Sequence, residues 1–95
     1  MEVLGKPWNG LLVALLEHGA LRFSELSERI PAIGDRMLSA RLKELEAAGV
    51  LKRRVHPGPP VRVDYVLTEA GQRFRQVYDA IAAWGGALAE ERARE

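Results

Sequence analysis

The sequence contains no cysteine. Disulfides, thiolate zinc sites and thiol redox switching all need sulfur, so each is excluded for these residues. Histidine is nearly as scarce: His18 is expected at a helix end and His56 in a loop, and no nucleophile, metal or phosphate-cradle motif accompanies either. His18 reads as a cation near a helix C-terminus, His56 as a turn residue, and Ser24 and Ser27 as helix-start residues. No catalytic residue, cofactor or metal site is expected, and the protein is not expected to be an enzyme. Long hydrophobic runs are also missing, none approaching the roughly 18 residues of a membrane span. The opening Met1-Glu2-Val3-Leu4-Gly5-Lys6 lacks the basic, apolar, small-residue order of a signal peptide, so a cytoplasmic location is expected. There is no internal repeat, low-complexity tract or linker-like stretch. The 95 residues, 47% of them hydrophobic, are read as one domain over 1–95 with a single modest core.

Net charge is only +1, but its distribution is uneven. Between Arg36 and Val63 stand Arg36, Arg41, Lys43, Lys52, Arg53, Arg54 and Arg62, against only Glu44 and Glu46, while both flanks are slightly acidic. A basic segment inside a near-neutral chain is the footprint of a phosphate-binding surface, although a solvated charged face gives similar counts.

Punctuation residues divide the chain into elements. A first helix is expected from near Pro7 to Gly19, and its segment Leu11-Leu12-Val13-Ala14-Leu15-Leu16 is apolar on nearly every face. Such a helix needs burial on more than one side, which a second subunit would supply. Leu21-Arg22-Phe23 has room for a short strand only. Ser24 opens a second helix with Leu26 and Ile30 on one face, ended by Pro31. A third helix is expected over about 35–48, with Gly34 as N-cap, Asp35 in the first turn, Leu38, Leu42 and Leu45 buried, and Gly49 as terminator. Two β-rich runs, Val50 to Val55 and Val61 to Leu67, flank His56-Pro57-Gly58-Pro59-Pro60 and predict a hairpin over about 50–67. Thr68 then caps a last helix over about 69–90, in which Ala70, Phe74, Val77, Ile81, Trp84 and Leu88 recur at coiled-coil-like spacing. The Gly85-Gly86 pair is expected to weaken, kink or end that helix.

The fold class that emerges is mainly α with a small β-hairpin wing, a winged helix-turn-helix. Its third helix suits the major groove of DNA, where each base pair shows a distinct donor and acceptor pattern. With the leucines turned inward, the opposite face carries Arg36, Ser39, Ala40 and Lys43, Arg36 being the leading base-reading candidate and Asp35 a capping residue before it is a base contact. On the hairpin, Arg62, with Arg53, Arg54 and His56 close by, is placed to follow the phosphate backbone or enter the minor groove. Basic side chains on an edge hairpin also serve simply to discourage strand aggregation.

These stretches carry a resemblance. Leu21-Arg22-Phe23-Ser24-Glu25-Leu26, Ile30-Pro31, Met37-Leu38-Ser39, Arg41-Leu42-Lys43-Glu44-Leu45-Glu46, Arg62-Val63-Asp64-Tyr65 and Leu67-Thr68-Glu69-Ala70-Gly71 resemble, in order and spacing over about 5 to 84, the HxlR-type family of bacterial winged helix-turn-helix transcription regulators, which is MarR-like. The resemblance implies a homodimer joined by its first and last helices that occupies a palindromic operator on double-stranded DNA, with repression the expected mode. It places Arg36, Ser39 and Arg41 on the reading helix and Arg62 on the wing, although Arg41 borders the buried stripe. The expected dimer interface is Trp8, Leu11, Leu12 and Leu15 with Phe74, Val77, Tyr78, Ile81, Trp84 and Leu88; a last helix packed within its own subunit is the plainer reading of the same pattern. Tyr78, Phe74 and Trp8 are also available to line a pocket, but no effector is identifiable. Two departures stand out. The cysteine through which some relatives sense oxidants is missing, and Gly34 replaces a hydroxyl residue usual at the reading-helix cap. The rival function is a winged helix that makes protein contacts and never engages DNA.

Overall fold

The computed structural model describes residues 8–94, as helices α1 (Asn9–Leu16), α2 (Phe23–Arg29) and α3 (Asp35–Ala47), strands β1 (Leu51–His56) and β2 (Arg62–Leu67), and helix α4 (Glu69–Arg94). Pro7, the expected start of the first helix, lies outside the described residues, and α1 ends at Leu16, three residues short of Gly19. Helix α2 begins at Phe23 rather than Ser24, because the Glu25 carboxylate reaches back to accept the Arg22 backbone N–H at 2.9 Å. The expected strand around Leu21 is reduced to a single antiparallel bridge, in which Leu21 and Tyr65 exchange both backbone hydrogen bonds at 3.0 and 2.8 Å. That bridge makes a third, minimal strand beside the β1–β2 hairpin.

The core is built largely of leucine. Leu12, Leu16, Leu26, Leu38, Leu42 and Leu45 are essentially inaccessible, and each such burial contributes roughly 1.5–3 kcal/mol. Helix α3 turns Leu38, Leu42 and Leu45 into this core at helical spacing. Its end is fixed by a Schellman motif: Gly49, at φ +78°, donates to the Glu46 carbonyl at 3.0 Å, and Val50 donates to Leu45 at 2.9 Å. Val50 and Leu45 are both buried, which supplies the hydrophobic contact that accompanies this motif.

The same turn anchors the last helix. The Thr68 hydroxyl donates to the Gly49 carbonyl at 2.6 Å and accepts the Gly71 N–H at 3.0 Å, while the Thr68 backbone N–H donates to Val50 at 3.1 Å. The first turn of α4 is thereby pressed against the start of the hairpin, and only a glycine fits at the contact, since a Cβ on Gly71 would sit 2.0 Å from the Val50 carbonyl oxygen. Farther along, Arg75 forms ion pairs with Glu17 beyond the end of α1 and with Asp79 at 3.2 Å.

Gly85 and Gly86 do not end α4, which continues to Arg94. At 26 residues the helix is about 39 Å long, more than the body can cover. The radius of gyration, 15.4 Å against roughly 12 Å for a compact chain of this size, records the projection. Phe74 packs on the core, whereas Ala70, Val77, Ile81 and Trp84 are exposed. Leu12 is wholly enclosed by its own subunit's core and so is removed from the expected interface. Trp8 and Leu15 also pack on that core, partly buried, while Leu11 points outward. The side chains of Tyr78 and Leu88 lie outside the described residues.

Gly71→Ala is expected to destabilise the fold by roughly 2 kcal/mol, because the carbonyl it strikes is held in place as the acceptor for Thr68. Thermal denaturation followed by circular dichroism measures this; an unchanged midpoint would show that the junction is looser than described.

Candidate nucleic-acid interface

With its leucines committed, α3 offers a defined outer face. Arg36, Ala40 and Lys43 are exposed and Ser39 is half-buried beside them. Asp35, at the leading end, accepts a 2.7 Å hydrogen bond from the Ser27 hydroxyl, so Ser27 ties α2 to the start of α3 rather than serving its own helix. Arg41 is turned away: its guanidinium bonds both oxygens of Glu44 at 2.8 Å, its Nε lies 3.2 Å from the Met37 sulfur, and it is half-buried. The face therefore gathers Arg36, Ser39, Ala40 and Lys43 and leaves Arg41 at its border.

The hairpin register divides the wing's charges. Leu51 pairs with Leu67, Arg53 with Tyr65 and Val55 with Val63 on one face; Lys52 with Val66, Arg54 with Asp64 and His56 with Arg62 on the other. Arg53 and Arg54, adjacent in sequence, consequently point to opposite sides. The two present their charges on different faces of the wing.

On the second face Asp64 is the hub. Arg54 binds its carboxylate in bidentate fashion, Nε to Oδ1 at 2.8 Å and Nη2 to Oδ2 at 3.0 Å, and His56 Nε2 lies 3.0 Å from Oδ2. The Arg54 hydrogen bonds hold the Asp64 carboxyl below its ordinary range, helped by His56 and partly opposed by desolvation. The same bond raises the Arg54 guanidinium's pKa further. Around this cluster the loop, with a cis Pro59-Pro60 bond, encloses an open hollow lined also by Arg22 and Arg62. Among the described residues there is no group of three or more histidines and carboxylates suited to a metal ion, and no helix long and apolar enough to cross a membrane.

An exposed reading helix beside a basic hairpin is the arrangement that comparison with known proteins explains. Residues 3–93 match the family model described as HxlR-like helix-turn-helix. The chain belongs to this family. It is similar to the HTH-type transcriptional regulator YodB of Bacillus subtilis, 44% identical over 89 residues, covering 94% of this chain and 80% of that protein. It is also 45% identical over 82 residues to an uncharacterized HTH-type transcriptional regulator of Methanothermobacter thermautotrophicus, covering 86% of this chain and 63% of the other. The structure of YodB in its reduced form superposes with a TM-score of 0.82 at 46% identity, over 87% of this chain and 81% of that one. A structure described as a MarR-family transcriptional regulator from Enterococcus faecalis V583 gives 0.92 at 30% identity, over 99% and 86% of the two chains. The HxlR chain is thus a winged-helix DNA-binding regulator of transcription, and the reading as a protein-only adaptor falls away.

The cluster around Asp64 escaped reading along the sequence. Asp64 stood out only as part of Arg62-Val63-Asp64-Tyr65, Arg22 only within stretches beginning Leu21-Arg22-Phe23, and His56 only as a turn residue close to the wing arginines. The register supplies the missing signal, because it sets Arg54, His56, Arg62 and Asp64 on one face.

A carboxyl whose folded pKa is depressed adds stability above its unfolded pKa of about 3.9, and loses that contribution as pH falls through the lower folded value. Asp64→Asn is therefore expected to lower the melting temperature near neutrality, and the gap from wild type to close as the pH falls through the carboxyl's lowered folded value. A gap that persists undiminished in acid would assign the effect to packing instead of charge.

Proposed function

We propose that the chain acts as a homodimer that binds a palindromic operator through two copies of α3, repressing transcription by occupancy. The observation that carries this reading is the outer face of α3, where Arg36, Ser39, Ala40 and Lys43 stand beside a wing bearing Arg62. Arg36 can donate two parallel hydrogen bonds to guanine, worth roughly 1–3 kcal/mol of discrimination, while Ser39 and Lys43 reach neighbouring bases or phosphates. Arg62 adds backbone contacts from the face of the wing that it shares with Arg54, and Arg53 from the opposite face. One reading helix contacts too few base pairs to select a site in a genome, and two related by a dyad contact enough.

Support for pairing comes from α4. Val77, Ile81 and Trp84 are 55, 60 and 66% exposed at coiled-coil spacing on a helix that leaves the body, and Leu11 on α1 is 42% exposed. Covering this stripe with the same stripe of a second copy is the economical way to bury it. With no cysteine in the sequence, any response of these residues to a signal must work by some means other than thiol oxidation.

Titration of fluorescent duplexes, selected from genomic fragments that the purified protein retains, tests both parts. Binding should weaken steeply between about 50 and about 200 mM salt. Arg36→Ala should relax sequence preference by about ten- to a hundredfold, and Arg62→Ala should weaken all duplexes alike and flatten the salt dependence. Ile81→Asp should yield monomers with poor operator affinity by sedimentation. A dimeric Ile81→Asp protein with normal binding would show that α4 does not join the subunits.

A further inference from the structure

The hollow under the wing loop collects positive charge that the reading helix does not use. Its walls are Arg22, His56, residues 57–60, Arg62 and Asp64. Asp64, the one carboxylate lining it, has both oxygens engaged by Arg54 and one of them by His56 as well, so the Arg54–Asp64 pair is close to neutral toward the hollow. Arg22 and Arg62 are exposed and enter no ion pair among the described residues. The further acidic group near this end is Glu25 on α2, whose carboxylate is turned to the Arg22 backbone N–H. Two guanidinium groups and an imidazole thus share one solvent-filled space, an arrangement that repels itself when empty and favours an anion.

His56 adds a second property. In the neutral ring, Nε2–H is the donor to Asp64 at 3.0 Å; protonation leaves that bond in place and adds both a charge and an Nδ1–H. An anion in the hollow therefore binds more strongly to the protonated form and by linkage promotes proton uptake. Position favours a phosphate of the DNA backbone as that anion. Arg22 immediately precedes α2, which Ser27 ties to the leading end of α3, and Arg62 belongs to the wing, so the hollow bridges the two parts of the DNA-binding surface.

We propose that this hollow is a phosphate subsite in which Arg22, Arg62 and protonated His56 hold one oxyanion of the DNA backbone, so that DNA binding takes up a proton. The proposal rests on the reading of the chain as a DNA-binding dimer and adds Arg22 and His56 to its contacts. It makes operator affinity depend on the protonation of His56, with Asp64 keeping the imidazole in position.

The experiment is a fluorescence titration of a retained genomic duplex in phosphate-free buffer at about pH 8 and about pH 6, at two salt concentrations. Wild type should bind on the order of threefold or more tightly at the lower pH, and His18→Gln should behave identically. His56→Gln keeps a donor for Asp64 but cannot titrate, so its affinity should be independent of pH. Arg22→Gln should reduce the slope of log affinity against log salt by about 0.9, the value of one phosphate contact. Thermal melts check that these exposed substitutions leave the fold intact. Unaltered pH dependence in His56→Gln, or an unaltered salt slope in Arg22→Gln, overturns the subsite. A parallel arm follows the His56 ring by NMR during addition of inorganic phosphate at constant ionic strength: saturation there, combined with pH-independent DNA affinity, would assign the hollow to a free anion and overturn the DNA assignment. Failure of wild type to bind any duplex even at low salt would instead overturn the DNA-binding reading itself.

Discussion

Burial of the α3 leucines in a core shared with α1 and α2 is the constraint from which the rest of the molecule follows. Leu38, Leu42 and Leu45 interlock with Leu12, Leu16 and Leu26, and rotating α3 by even one residue would expose part of that stripe. Because the inner face is fixed, so is the outer one. Arg36, Ser39, Ala40 and Lys43 look outward as a consequence of where the leucines are, and the Ser27–Asp35 bond locks the end of the helix from which they start. A presentation surface for DNA needs this rigidity, since base-edge hydrogen bonds tolerate little displacement.

The core also sets where the wing and the last helix begin. The Schellman turn after α3 carries Val50 into the core and feeds β1; β2 returns to Leu67, and Thr68 and Gly71 clamp the start of α4 on the same turn. Three elements with different tasks therefore diverge from a few residues around Gly49 and Val50. Force or strain applied to α4 has a short covalent and hydrogen-bonded path to the wing and to the end of the reading helix. In the proposed dimer the exposed Val77, Ile81 and Trp84 of α4 meet the second copy, and the spacing between two reading helices is governed through this junction.

Electrostatics on the wing follow from β-strand geometry. Alternation sends Arg53 to the face of Tyr65 and Arg54 to the face of Asp64, and the Asp64 carboxylate then draws Arg54 and His56 together while Arg22 and Arg62 stand around the adjoining hollow. A single acid in a basic hairpin thus organises the cations rather than merely cancelling one. Arg41 shows the converse within α3, where its Nη1 donates to both oxygens of Glu44 and its Nε faces the Met37 sulfur, leaving it at the margin of the DNA face.

Local signals in the sequence determined the order of elements, the identity of the core and the family. Leucines at helical spacing, Gly34 and Gly49 at the ends of α3, β-rich runs around His56-Pro57-Gly58-Pro59-Pro60, and the Thr68 cap are each read within a few residues, and all appear in the structure. Tertiary structure decided what depends on partners distant along the chain. Leu12 belongs wholly to its own subunit's core because α1 lies inside the fold, and α4 runs through Gly85-Gly86 although propensity argues for a break there. Gly71 is required by a carbonyl 21 positions earlier, and the Arg54–Asp64–His56 cluster exists only once the hairpin register is fixed. Side-chain periodicity is a property of one segment, whereas contact between segments depends on how all of them pack, which is why the reading helix could be placed from its residues and the wing's charge cluster could not.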